Sequence, residues 1–240
     1  MLKTKKPNTK HLPRGLEILY ADDDILVVDK PAGLLTVGTD TNRSKTVYYC
    51  LTDFVRKGNP KSRHRIFIVH RLDRDTSGVI VFAKNEAAKF ELQATWENTD
   101  KKYLAVVHGQ LAKKQDTITS YLAENKMFKV YSTDDTTKGK LARTEYKVLK
   151  EARHVSLLEI TLLTGRKNQI RVHLSDIGHP IVGDKKYGKP KDPHKRMMLH
   201  ANSITFKHPA TGKQMTFETQ TPSDFKRLLK TPAEIDADDE

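Results

Sequence analysis

The stretch Val69–Ala83, VHRLDRDTSGVIVFA, decides how the chain is read. Ile66–Val69 at its start and Val79–Ala83 at its close are apolar and rich in β-branched residues, the pattern of short buried strands. Between them runs a polar connection holding His70, Arg71, Asp73, Arg74, Asp75, Thr76, Ser77 and Gly78. A loop between two buried strands sits on a rigid frame, which is where folds place reactive groups. Asp73 has a cation on either side, Arg71 and Arg74, and such neighbours favour an ionised, nucleophilic carboxylate. The same residues also fit a plain Arg–Asp ion-pair cluster at a sheet edge. Spacing alone does not separate the two.

Outward from this stretch, Ile25–Val28 and Tyr103–Val107 read as further buried strands. Val155–Leu163 alternates, and Arg143–Leu149 puts Thr144, Tyr146 and Val148 on one face. Helices are expected where apolar residues recur at helical spacing: Val47, Leu51, Phe54 and Val55; then Ala87, Phe90 and Ala94. A third stripe, Ile170, His173, Leu174 and Ile177, is stopped by Gly178 and Pro180. A last short helix starts at Thr221, with Pro222 in its first turn, and buries Phe225, Leu228 and Leu229. Strands dominate without strict strand–helix alternation. That predicts an α+β fold on a mixed, mainly antiparallel sheet with flanking helices. With no internal repeat or low-complexity linker, one compact domain is expected over residues 17–230, between a flexible basic arm (1–16) and an acidic flexible tail (231–240).

Charge narrows the partner. The 240 residues carry 43 Lys and Arg against 30 Asp and Glu, a formal net charge of +13. The five basic residues of the first 14 and the five acids of the last seven cancel, so the body itself is basic. Between Arg56 and Arg74 seven Lys or Arg face one acid, Asp73, and between Lys185 and Arg196 six face only Asp192. A polyanion, most simply RNA, fits this balance. Tails of this kind are usually just solvated. Cys50 is the single cysteine, which excludes an internal disulfide framework and a cysteine-rich zinc site and fits a reducing compartment. No apolar run approaches the ~18 residues of a membrane span, and no apolar segment follows the basic N-terminus as in a secretory signal. A cytoplasmic monomer with no membrane partner is the expectation.

Other chemistries find little support. No HExxH or comparable ligand spacing joins the histidines, so no metal is expected. Gly33 and Gly38 are spaced as in a phosphate loop, but Thr39 stands where a lysine is required, and no GxGxxG occurs. Ser77 lacks the preceding glycine of a nucleophile elbow. Asp22–Asp24 could suggest a metal-dependent nuclease, but a turn before a strand explains it more cheaply. A second motif-like stretch is Thr164–Gly188, TGRKNQIRVHLSDIGHPIVGDKKYG, where Arg166 and Arg171 flank a helix start near Gln169, His173 and His179. It suits a phosphate or a carboxylate partner, or is an ordinary amphipathic helix with exposed basic residues. Tyr103, opening a strand after Lys102, is either core or a base-stacking ring.

These residues resemble RluA-type RNA pseudouridine synthases, in the short form without an S4-type domain. HRLDRDTSGVIVFAK is similar to the family's HRLDxxTSG signature and its following apolar strand. DKPAGLLT (Asp29–Thr36), KKYLAVVHG (Lys101–Gly109), GRKNQIRVHLSDIGHPIVGDKKYG and MLHA (Met198–Ala201) resemble the remaining blocks, in family order, over roughly residues 17–220. The resemblance implies a synthase domain with a central cleft, isomerising uridine to pseudouridine in ribosomal or transfer RNA without cofactor or metal. Asp73 matches the family's catalytic aspartate, Tyr103 its active-site tyrosine and Arg171 the arginine that pairs with the aspartate. His70, Arg71, Arg74, Thr76, Arg166, Gln169, Lys185 and Lys186 are the expected RNA contacts. Lys167-Asn168 departs from the Thr-His common in relatives. An RNA-binding or RNA-folding factor without activity is the competing expectation.

Overall fold

A computed structural model describes residues 12–38 and 44–229. The arm and tail expected at the termini lie mostly outside the described residues. Leu16, assigned to the arm by its sequence, is only 4% exposed, so the packed body begins before residue 17. The chain forms two compact units: one from residues up to Thr99 plus Thr205–Thr219, the other from Asp100–Ile204 and the residues from Gln220 on. The expected α+β fold, a mixed sheet with a few helices, is the one found. No linker marks the division, because one boundary falls at the head of a strand and another inside one.

The first unit contains β1 (Glu17–Ala21), β2 (Ile25–Lys30), α1 (Val47–Arg56), β3 (Phe67–Ile68), β4 (Ser77–Ala83) and α2 (Glu86–Ala94). β1, β2 and β4 pair antiparallel in that order, with Ile25 opposite Ala83 and Lys30 opposite Gly78. β4 is buried along its whole length, as its run of Val, Ile and Phe predicts for a strand covered on both faces. α1 begins at Thr46, whose hydroxyl accepts the Tyr49 N–H at 3.2 Å. Asn85 caps α2 through the Ala88 N–H at 2.8 Å; such caps contribute about 1 kcal/mol each. The α2 stripe differs from expectation: Ala88 and Leu92 are buried, while Ala87 and Ala94 are exposed and Phe90 is 63% exposed. The face of α2 that packs on β3 and β4 is the one carrying Ala88 and Leu92, which leaves Phe90 on the solvent side. The strand expected at Ile66–Val69 shrinks to Phe67–Ile68, because His70 and the residues after it turn away as loop.

The second unit contains β5 (Asp100–His108), β6 (Gln115–Glu124), β7 (Val130–Thr133), β8 (Lys140–Glu151), β9 (Val155–Leu162), α3 (Gln169–Asp176), most of β10 (Leu199–Lys207) and α4 (Ser223–Leu228). Its strands run β10–β5–β9–β8–β6–β7, with Tyr103 opposite Ile160 and Ser120 opposite Ala142. Ala142, Thr144 and Tyr146 of β8 are buried and their neighbours exposed, the expected period of two. α3 packs on β6, β7 and β8 over a cluster of Leu122, Val130, Ala142, Val172 and Tyr187. Ile177, expected in the α3 stripe, is instead the C-cap and 37% exposed. The remaining strand, β11 (Gln214–Glu218), belongs to the first unit with the end of β10 from Thr205 on, where the Thr205 and Thr216 hydroxyls hydrogen-bond at 2.9 Å.

Candidate active site

In the first unit the residue on each side of Asp73 is tied down through its backbone. The Thr36 hydroxyl donates to the Leu72 carbonyl at 2.8 Å and accepts the Leu72 N–H at 3.3 Å. On the other side, the Arg74 carbonyl accepts the Gly33 N–H at 2.9 Å and Lys30 Nζ at 2.9 Å. The Asp73 carbonyl itself accepts the Thr76 N–H at 3.3 Å, closing a turn. Gly78, the second residue of β4, has φ +111°, a conformation open to glycine. The sequence thus brings DKPAGLLT beneath the signature loop: β2 ends at Lys30, and the turn after it supplies Gly33 and Thr36.

Lys30 is 0% exposed. Its ammonium donates to the carbonyls of Pro31 (3.0 Å), Leu34 (2.8 Å) and Arg74 (2.9 Å), which uses all three of its N–H groups. Burial lowers its pKa to about 8, against the opposing pull of the Asp75, Asp73 and Asp29 carboxylates. The sequence reading missed Lys30 because nothing in spacing distinguishes it from a surface lysine; its place at the end of an apolar strand was the available signal.

The other loop residues divide by exposure. Arg71 and Arg74 are exposed, Arg74 pairing with Asp75 through Nε–Oδ1 at 3.0 Å and Nη2–Oδ2 at 3.2 Å. His70 accepts the Val81 N–H on Nε2 at 3.0 Å and lies against Trp96, ring centroids 4.5 Å apart. Thr76 is 2% exposed.

In the second unit the Arg171 guanidinium is held in a two-pronged ion pair with Asp184, Nε to Oδ2 at 2.7 Å and Nη2 to Oδ1 at 2.8 Å. Asp184 Oδ1 also accepts the N–H groups of Lys186 (2.8 Å) and Tyr187 (3.1 Å). Burial pushes the Asp184 carboxyl up, but the Arg171 hydrogen bond and charge and the two peptide N–H groups outweigh it and hold it below its ordinary value. The guanidinium lies 5.1 Å from the Tyr187 ring centroid. Asp184 fixes the guanidinium in place, yet it stands 13 residues from Arg171 in a loop, where no periodicity points to it. Gly183 before it, at φ +78°, leaves no room for a side chain: a Cβ would lie 1.8 Å from the Arg196 carbonyl oxygen.

The structure gives Gln169 an internal role in place of the expected RNA contact. It is 2% exposed, donates to the Arg143 carbonyl (3.0 Å) and Thr144 hydroxyl (2.9 Å), and accepts from Thr164 (2.8 Å) and the Arg166 N–H (3.0 Å). That uses its whole amide and fixes the head of α3. His173 below it is 0% exposed and bonds Thr144 and Ser120 at 2.9 and 3.0 Å; burial lowers its pKa, which keeps it neutral near pH 7. Tyr103 lies on β5, 9% exposed. Arg166, Lys185 and Lys186 are exposed, with Lys185 Nζ donating to the Asp192 and His194 carbonyls. Asp22, Asp24 and His208 bring ligand-type atoms within 4.8 Å of one another. Their bonds are those of a turn, however: Asp22 Oδ1 accepts the Asp24 and Ile25 N–H groups at 2.8 Å, and Oδ2 faces His208 Nε2 at 2.8 Å.

Comparison with known proteins gives these parts a common meaning. The family model described as RNA pseudouridylate synthase matches residues 24–176, a span that contains the signature loop, Tyr103 and Arg171. An RNA pseudouridine synthase of Mycoplasma genitalium is 40% identical over 226 residues, 90% of this chain and 70% of that protein. The Ribosomal large subunit pseudouridine synthase D of Zymomonas mobilis is 35% identical over 90% of this chain and 72% of its own length. Among solved structures, Human RNA Pseudouridylate Synthase Domain Containing 4 superposes with a TM-score of 0.74 at 23% identity, over 89% of this chain and 91% of that one, a likeness of fold. The protein is therefore an RNA-modifying isomerase that turns uridine into pseudouridine. The chain belongs to the RNA pseudouridylate synthase family.

Proposed function

We propose that the protein modifies large-subunit ribosomal RNA, with Asp73 as its catalytic carboxylate, Tyr103 and Arg171 as active-site partners, and neither metal nor cofactor. The observation that carries this reading is the bracing of the signature loop, where Leu72 and Arg74 are each held by side-chain and backbone bonds so that Asp73 is presented on a fixed turn. Preorganised placement of a reacting group removes much of the entropic barrier to attack. The isomerisation breaks the N1–C1′ bond, turns the uracil, joins C5 to C1′, releases the C5 proton and leaves N1 protonated. A carboxylate serves it by attacking the sugar or the base, or by removing a sugar proton. In each route the base must leave its stack, at a cost of a few kcal/mol that phosphate contacts and stacking offset. Arg71, Arg74, Arg166, Lys185 and Lys186 are exposed and suited to those contacts. The ribosomal substrate is supported by the name of the Zymomonas mobilis relative. No helix of the described residues is long and apolar enough to cross a membrane, and the proposal includes a monomer acting in the cytoplasm.

Tritium release from RNA labelled at uridine C5 tests the reading. Release from large-subunit ribosomal RNA, absent with transfer RNA and abolished in Asp73→Asn, is the expected result. Release from transfer RNA alone would move the substrate. Binding without release from any RNA would favour the RNA-folding factor.

A further inference from the structure

The turn joining β6 to β7 exposes two large apolar side chains, Met127 at 84% and Phe128 at 71%. The turn itself is tightly built. The Asn125 side-chain carbonyl accepts the N–H groups of Met127 (3.0 Å) and Lys129 (2.9 Å), and its backbone carbonyl accepts the Phe128 N–H at 2.9 Å. Lys186 Nζ reaches across to the Phe128 carbonyl at 2.7 Å. Within this frame Phe128 has φ +58°, the left-handed region that a bulky L-residue enters only at a cost. Glycine or asparagine would hold the same turn more easily. An aromatic ring kept outside the core at a strained backbone position points to a use outside the fold.

The surroundings say which use. Lys126 and Lys129 flank the ring in sequence, and Lys167 Nζ lies 5.6 Å from its centroid. The Lys129 and Lys186 ammonium groups lie 5.9 and 5.5 Å from the neighbouring Tyr187 ring. Glu124, the only acid in residues 124–131, is taken by an ion pair with Lys167. An exposed aromatic ring rimmed by ammonium groups complements a single strand of nucleic acid, in which bases stack and phosphates carry the charge. We propose that this turn is an RNA-docking platform, with Phe128 stacking on an unpaired base and Lys126, Lys129 and Lys186 holding the adjoining phosphates. It rests on the proposed RNA substrate and adds a contact point to it.

The test uses the full chain with the large-subunit ribosomal RNA, comparing wild type, Phe128→Gly, Phe128→Trp and the double variant Lys126→Gln, Lys129→Gln. Thermal unfolding of Phe128→Gly should match or exceed wild type, since glycine suits φ +58°. Its RNA affinity should nevertheless fall about tenfold or more, the loss that removing one stacked ring typically brings. Phe128→Trp should retain wild-type affinity. The double lysine variant should flatten the dependence of log affinity on log salt by about 1.4, for two single-strand phosphate contacts. Wild-type affinity in Phe128→Gly overturns the platform and leaves the ring as a docking point for protein. A drop in the thermal stability of Phe128→Gly also overturns it, because the ring would then be structural. Failure of the RNA reading looks different: wild type and all variants would bind the RNA equally weakly and release no tritium.

Discussion

Lys30 in the first unit and Asp184 in the second are both buried ionisable side chains, and the two are neutralised in different ways. Lys30 in the first unit is solvated by dipoles, three carbonyl oxygens around one ammonium, with no hydrogen-bonded carboxylate among those contacts. Asp184 in the second meets a full opposite charge at Arg171 and two peptide N–H groups besides. The outcome follows from electrostatics. Dipoles hold the Lys30 geometry but only partly replace water, so its pKa falls to about 8. The ion pair more than offsets burial, so Asp184 stays charged below its ordinary 3.8. One arrangement fixes a loop at the cost of an easily lost proton, and the other fixes a side chain and keeps its charge.

The pH consequences differ accordingly. Between about 8 and 10.5 an unfolded chain keeps the Lys30 proton that the folded one has released, so this group makes stability rise with pH through that window. Asp184 contributes stability that is present above 3.8 and lost as pH falls through its lower folded value.

The largest effect is expected outside either buried group, at the residue that the first one serves. Asp73→Asn should cut tritium release by at least ~10²–10⁴-fold with RNA affinity nearly unchanged; more than about a percent of wild-type turnover would unseat Asp73 as the catalytic carboxylate. Asp184→Asn strikes the second arrangement. It removes the carboxylate that grips the Arg171 guanidinium through two hydrogen bonds, and breaking a buried pair in this way should cost about 3–5 kcal/mol in urea unfolding. A cost below about 1 kcal/mol, the range of exposed pairs, would show that the pair is solvated and that the two units do not differ as described. Lys30→Met tests the first arrangement. Its stability should lack the Lys30-dependent rise of wild type, up to about 3 kcal/mol between pH 8 and 10.5 for a shift of this size. Parallel curves for the two proteins would mean that Lys30 keeps its proton. The smallest effect supplies the baseline: Phe90→Ser on the exposed face of α2 should stay within ±0.5 kcal/mol. A loss of 2 kcal/mol there would restore the helix phase read from the sequence.

Reading the sequence succeeded where the signal is local. The run Val79–Ala83 is a strand in both readings, and the stripe at Val47, Leu51 and Phe54 is α1. β6 carries no strand signal of its own, because QDTITSYLAE has few large apolar residues on a half-exposed strand, and Asn202 and Ser203 interrupt the pattern of β10. The separation into two units has no compositional mark, since chain and strand continue across the boundary.

For the candidate site the division is similar. Sequence alone singled out Asp73, Tyr103 and Arg171, because their motifs are short runs whose order along the chain carries the family likeness. It also set the net charge of +13 that calls for a polyanionic partner. Tertiary structure decided which polar residues stay available. It drew Gln169 inward to fix the head of α3, set Lys30 beneath the carbonyls of its loop, paired Arg171 with Asp184 and turned Phe128 outward. The physical reason is that burial and hydrogen-bond partners depend on residues distant in the chain. Lys30 lies 44 positions from Arg74, so no local pattern could have joined them.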